Sequence, residues 1–240
     1  MILDQFSLAG KTAIVTGCNA GLGQGMAAGM AEAGADIVGV YRSETEETRR
    51  MVEDLGRRFV PVKADLSSIE PVSRIIEEAV HACGAIDILV NNAGIIRRGA
   101  SLEFSEEDWD AVLDTNLKTL FFLSQAAARQ FVNQQSGGKV INVASMLSFQ
   151  GGIKVPSYTA SKSGVMGVTK ILANEWAPLG INVNAIAPGY METRNTAPLR
   201  NDPNRNQAIL DRIPAGRWGT PQDLKGAAVF LASAASDYVH

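Results

Sequence analysis

A chain of 240 residues, 46% hydrophobic and 20% charged, has a globular composition and enough length for one well-filled domain. Its formal charge of −3, with neither sign gathered into a long run, gives no electrostatic reason to expect a nucleic-acid partner. Disordered and fibrous classes are excluded on the same grounds.

In chain order, the N-terminal MILDQFSLAGK lacks the basic and apolar regions of a secretory signal. No later run reaches the ~18 apolar residues that a membrane span needs, and a cytoplasmic protein is expected. Short β-branched runs then recur: KTAIVT (11–16), ADIVGVY (35–41), RFVPVKA (58–64), IDILVNN (86–92), KVINVAS (139–145) and INVNAIA (181–187). They are apolar without strict alternation, as strands covered on both faces are. Helical patterns fill the intervals at 22–33, 44–55, 69–82, 106–134 and 157–177. This alternation predicts an α/β chain: one doubly wound, Rossmann-like domain with a central parallel sheet flanked by helices. The segment 188–216 carries four of the nine prolines and is expected to be a loop acting as a substrate lid. Cys18 and Cys83 belong to no Cys-x-x-Cys or Cys/His cluster, so neither a disulfide framework nor a metal site is expected.

The first strand runs into TGCNAGLGQG, where Gly17, Gly21 and Gly23 precede a helical run. Glycines there let the backbone approach a pyrophosphate whose charge sits on the N-terminus of the next helix. Turns and close helix packing also use glycine; the position between strand and helix is what favours a dinucleotide. The turn itself holds no Gly-Lys-Ser/Thr, the chain's Gly10-Lys11-Thr12 leading into the strand and not following it, which argues against a triphosphate loop. Cys18 reads as a small filler. The second strand ends in Tyr41-Arg42-Ser43, where an NAD-preferring fold usually has a carboxylate. Arg42 is compatible with pairing a 2′-phosphate, stacking on adenine or facing solvent.

Tyr158 and Lys162 stand at i and i+4, neighbours on one helical face, with Ser157 after Pro156 as the expected cap. Ser145 lies thirteen residues upstream, at the end of a strand where doubly wound folds bind ligands. Asn116 lies within the helical pattern 106–134. A free tyrosine titrates near ~10, and bringing it to neutrality costs about 4 kcal/mol. A lysine ammonium at close range, aided by a cationic nicotinamide, supplies stabilisation of that order. The serine would then hydrogen-bond the substrate oxygen while hydride passes to or from the nicotinamide.

These motifs together resemble the short-chain dehydrogenase/reductase family. The chain carries TGxxxGxG from Thr16 to Gly23, Asn91-Asn92-Ala93-Gly94, the serine thirteen before the tyrosine, YxxxK, and Pro188-Gly189. The resemblance implies Tyr158 as acid/base, Lys162 as the group that lowers its pKa and holds the nicotinamide ribose, Ser145 as orienter of the substrate oxygen, and Asn116 as anchor of a water in a proton relay. It places Gly17, Asn19, Gly21, Leu22, Gly23, Arg42, Asp65, Leu66, Asn92, Ala93, Gly94, Pro188, Gly189 and Thr193 along the dinucleotide. It also implies a homotetramer paired through helices 106–134 and 157–177. Family members usually carry one more strand, roughly fifteen residues, beyond the segment resembling DYVH; here the sequence ends at His240.

Within the family, the stretches 91–98, 144–163, 184–197 and 212–221 resemble a bacterial subgroup acting on sugar acids such as 2-deoxy-D-gluconate or 2-dehydro-3-deoxy-D-gluconate. That implies mainly NAD, with NADP kept open by Arg42. A sugar acid brings a carboxylate that needs cationic donors, and Arg97, Arg98 and Arg194 are candidates, each equally readable as a solvated arginine. Gln150 and Met191 are further pocket candidates, with packing as the alternative. The rivals are an NADP-dependent 3-oxoacyl-carrier-protein reductase of the same fold and a non-catalytic dinucleotide sensor. A hydrolase is disfavoured because His81 and His240 are poorly placed for a triad.

Overall fold

The computed structural model describes all 240 residues. Six strands, β1 (Thr12–Thr16), β2 (Asp36–Tyr41), β3 (Phe59–Lys63), β4 (Ile88–Asn91), β5 (Gly138–Val143) and β6 (Ile181–Ile186), form one sheet in the order β3-β2-β1-β4-β5-β6. Every pairing is parallel. All five residues of β1 are buried, as a central strand covered on both faces requires.

The sheet separates two cores of comparable size, 22 and 20 buried residues, so neither face is left open. One core packs β1 and β2 against α1 (Gly21–Glu32) and α9 (Lys225–Ala232), through Met26, Met30 and Leu231. The other packs the sheet against α3 (Val72–Cys83), α5 (Thr119–Gln134) and α6 (Pro156–Trp176), through Ile75, Leu123, Phe131 and Leu172. The chain order reverses between β1 and β4, and the crevice beyond their carboxyl ends is where a doubly wound sheet holds ligands.

Three expectations change. The helical stretch 106–134 is interrupted: α4 (Glu106–Leu113) passes into a π turn at Asp114–Lys118 before α5 begins. Pro156, not Ser157, opens α6: Val155 is the N-cap, and proline's fixed φ and missing N–H suit the first helical position. Ser157 is buried with its hydroxyl unpartnered, while Tyr158 stands in the first turn as expected. Finally, 188–216 is not structureless. It holds a 3₁₀ turn at Arg194–Thr196 and the helices α7 (Ala197–Arg200) and α8 (Pro203–Leu210), the latter capped by Asp202. Met191 bridges to Gly219 at its base, and Trp218 donates to Asn206 at 2.7 Å.

Candidate active site

The turn from β1 into α1 is shaped by its backbone. Gly17 and Gly21 adopt φ of +63° and +57°, where a side chain would be strained. Gly23 is needed for space: a Cβ there would fall 2.3 Å from the Gly17 carbonyl oxygen and 2.4 Å from Asn92 Nδ2. The first turn of α1 contains no acidic residue, so its exposed N–H groups present uncompensated positive dipole charge. An open glycine cradle ending on such a helix fits a dinucleotide pyrophosphate.

Thr16 ties this turn to the end of β4. Its hydroxyl donates to the Val90 carbonyl at 3.2 Å and accepts from the Asn92 and Ala93 amides at 2.9 Å each. The Asn92 side chain donates to the Thr16 and Gly17 carbonyls at 2.9 and 3.2 Å. Leu66, Ala93 and Thr16 line a small cavity at this switch point. Asn19 Nδ2 donates to Ser43 Oγ at 3.0 Å, joining the glycine turn to the end of β2, where Arg42 is exposed. Asp65 is exposed and accepts from the Ser67 amide at 3.0 Å. Leu22 packs against the α1 core. Across the cleft, the Thr193 methyl would lie 3.7 Å from a Cβ on Gly21, so the segment after β6 meets the cradle directly. Pro188 accepts from the Met146 amide at 3.0 Å, and Gly189 is exposed beside it. Cys18 is buried, and burial pushes its thiol up to about 11, so it is the inert filler expected.

Ser145 stands two residues beyond β5, as cap of the turn Met146–Ser148, and its hydroxyl accepts from the Leu147 amide at 3.2 Å. Ser148 donates to the Lys162 carbonyl at 2.7 Å, which fixes this turn against α6. Tyr158 is half-buried. Burial pushes its phenol above the ordinary tyrosine range, opposed by the nearby Ser145 side chain and by the charge of Arg98. Lys162 Nζ lies 5.7 Å from the Tyr158 ring centroid and is held at 2.6 Å by the Val143 carbonyl. The buried ammonium is spent on a backbone oxygen, and burial pushes it down to about 8.

Asn116 is fully buried on the π turn, a geometry often found at functional sites. Its Oδ1 accepts from the Ile95 amide at 2.8 Å, and its Nδ2 donates to the Ile95 carbonyl at 2.9 Å and to Ser161 Oγ at 3.2 Å. The side chain braces the loop after β4, with Gly94 against it. Arg97 is turned toward α4, its Nε 3.0 Å from Asp108. Arg98 reaches the opposite way, donating to the Asn195 carbonyl at 2.7 Å. Arg194 and Gln150 are exposed, while Met191 is buried as core.

The sequence reading passed over a buried polar chain behind the site. Asn91 Nδ2 donates to Ser124 at 2.8 Å and to Asn142 at 2.9 Å, and Asn142 Nδ2 donates to Thr169 at 3.0 Å. The available signal is an asparagine at or next to the end of each of two largely apolar strands, Asn91 in β4 and Asn142 in β5, since a buried amide demands partners.

The profile of the family described as short chain dehydrogenase matches residues 11–204. A 2-dehydro-3-deoxy-D-gluconate 5-dehydrogenase of Dickeya dadantii (strain 3937) is 64% identical over 240 residues, covering 100% of this chain and 95% of the relative. The enzyme of the same description from Bacillus subtilis (strain 168) is 55% identical over 238 residues, covering 99% and 93%. Among solved structures, a gluconate 5-dehydrogenase from Burkholderia cenocepacia J2315 in complex with NADP and tartrate is 40% identical, with a TM-score of 0.94 over 100% of this chain and 94% of that one. With the profile spanning most of the chain and the identities running its whole length, the chain belongs to the short-chain dehydrogenase family.

Proposed function

We propose that this protein is an oxidoreductase that interconverts a hydroxyl and a keto carbon of a sugar acid such as 2-dehydro-3-deoxy-D-gluconate or 2-deoxy-D-gluconate, with a nicotinamide dinucleotide as hydride partner. The supporting observation is the convergence of Tyr158, Ser145 and the Arg98 charge at the carboxyl edge of the sheet, beside the Gly17–Gly23 cradle. The relatives' activity on sugar acids supports the substrate class.

When bound, the nicotinamide ring gives up or accepts the hydride. The protein's part is proton handling and orientation. The Tyr158 hydroxyl donates a proton to the substrate oxygen in reduction and takes it back in oxidation. Ser145 hydrogen-bonds the same oxygen and fixes its distance from the phenol. A phenol held above its ordinary range is protonated at neutrality, the form that reduction consumes. Lys162, its ammonium pushed down to about 8 by burial, serves as the ribose ligand once it leaves the Val143 carbonyl. Asn116 keeps the Ile95 backbone in place beneath the substrate side.

The dinucleotide site would consist of Gly17, Asn19, Gly21, Leu22, Gly23, Asp65, Leu66, Asn92, Ala93, Gly94, Pro188, Gly189 and Thr193. NAD is the expected form. The exposed Arg42 at the end of β2 admits NADP too, as in the Burkholderia enzyme. Segment 188–216 serves as the lid of a single catalytic domain. We assign the chain to the cytoplasm; no helix is long and apolar enough to cross a membrane. We also assign it to a homotetramer paired through α4, α5 and α6, where Trp109, Val132 and Ile171 are 41%, 45% and 49% exposed.

A panel of sugar acids, neutral alditols and an acetoacetyl thioester, each with NAD and NADP, tests the reading through the absorbance of the reduced nicotinamide. The sugar acids are expected to exceed the others in kcat/KM by at least about tenfold, or about 1.4 kcal/mol. Preference for the thioester would instead establish an acyl-thioester reductase.

A further inference from the structure

The geometry points to Arg98 as the group that recognises the substrate carboxylate and ties that recognition to the segment over the cleft; this rests on the sugar-acid reading above. Among the arginines near the cleft, only this one is built into both walls. Arg97 is committed to Asp108 on the α4 side, and Arg194 is exposed on its own turn. Arg98 spans from the loop after β4 to the segment after β6, through its bond to the Asn195 carbonyl.

The backbone that carries Arg98 is held on both sides. Upstream, Asn116 grips the amide and the carbonyl of Ile95. Downstream, the Gly99 amide donates to the Lys154 carbonyl at 3.1 Å, in the loop that leads into the first turn of α6 and Tyr158. The guanidinium therefore projects from a fixed stem, which lowers the ordering cost of binding an anion. One bond to Asn195 leaves most of its donors unspent, enough for the paired contacts that a carboxylate takes. Its charge also reaches the Tyr158 phenol, so an acid group held by Arg98 sits on the substrate end next to the reacting oxygen. The bond to Asn195 brings the lid backbone to the same guanidinium, so a bound carboxylate and the lid share one anchor.

The test compares 2-deoxy-D-gluconate with the corresponding neutral alditol in the wild type, Arg98→Ala, Arg98→Lys and Arg97→Ala. KM and kcat are measured for each, and dinucleotide affinity is measured separately. In Arg98→Ala, KM for the acid is expected to rise about 30-fold, the loss of a charge-assisted paired contact. KM for the alditol should move less than about threefold and dinucleotide affinity should hold. Arg98→Lys, which keeps the charge and loses the fork, should recover part of the acid affinity. The inference is overturned if Arg98→Ala keeps the acid-to-alditol ratio, or if Arg97→Ala is the change that erases it. Should Arg98→Ala lose dinucleotide binding, Arg98→Lys decides: an acid KM equal to the wild type also overturns the inference. A wild type that does not prefer the acid defeats the sugar-acid reading itself, an outcome visible before any variant is made.

Discussion

On one side of the cleft, the turn between β1 and α1 is shaped chiefly by main chain, with positive φ at Gly17 and Gly21 and no room for a Cβ at Gly23, and the Thr16 hydroxyl and the Asn92 side chain tie it to the end of β4. On the other side, the loop after β4, α6 and the segment after β6 are held in place by side chains: Arg98 on the Asn195 carbonyl, Ser148 on the Lys162 carbonyl, and Trp218 on Asn206. The difference follows from what each wall must hold. A pyrophosphate is the same in every dinucleotide, so a rigid backbone mould serves it. A substrate varies, and side chains on short loops and helices can be exchanged without disturbing the sheet.

The contrast predicts unequal tolerance to change. Gly23→Ala, the smallest possible addition to the mould, should reduce dinucleotide affinity by more than about 100-fold and lower stability by about 3 kcal/mol, since backbone rather than a flexible side chain must move. Calorimetry and a thermal melt check both; near-normal affinity would show that the cradle is not tight. Next in size is a pH effect at Lys162. Its folded pKa of about 8 lies below the ordinary 10.5, so between those values the unfolded chain holds more protons and stability rises with pH. The stability of the wild type relative to Lys162→Met should therefore grow by up to about 3 kcal/mol from pH 7 to above 10, measured by denaturant titration at several pH values. A flat difference would mean that the ammonium is not desolvated.

Smaller again is the effect of Arg98 on the phenol. Its positive charge favours the phenolate, so Arg98→Ala should move the rising limb of the oxidation pH profile to higher pH. A shift to lower pH would contradict the placement of that charge. Least is expected from thiol chemistry at Cys18. With its thiol pushed up to about 11 and buried, alkylation at pH 8 should label the half-buried Cys83 first, as read by mass spectrometry. Prior labelling of Cys18 would mean that the glycine turn opens.

The mould was also the part most legible in the sequence, because glycine spacing after a β-branched run reports backbone geometry directly. The strands followed from apolar runs covered on both faces, with ends that differ by a residue or two from the runs. The π turn at Asp114–Lys118 left no such trace, since a change from i→i−4 to i→i−5 bonding has no composition of its own. Nor could spacing separate Arg97 from Arg98. Adjacent residues on a loop diverge according to their neighbours, and Asp108 is eleven positions from Arg97. The Val143 carbonyl that captures Lys162 belongs to a strand whose nearness to α6 only the fold supplies.

Proton transfer at the phenol is the claim on which the functional reading depends, and Tyr158→Phe tests it with the least disturbance, because it removes one oxygen from a half-buried ring. Turnover of the preferred sugar acid should fall by at least about 10³-fold, in the range expected for loss of a general acid/base, while dinucleotide affinity stays within about threefold of the wild type. Turnover that stays within about tenfold of the wild type, with the dinucleotide still bound, would contradict it.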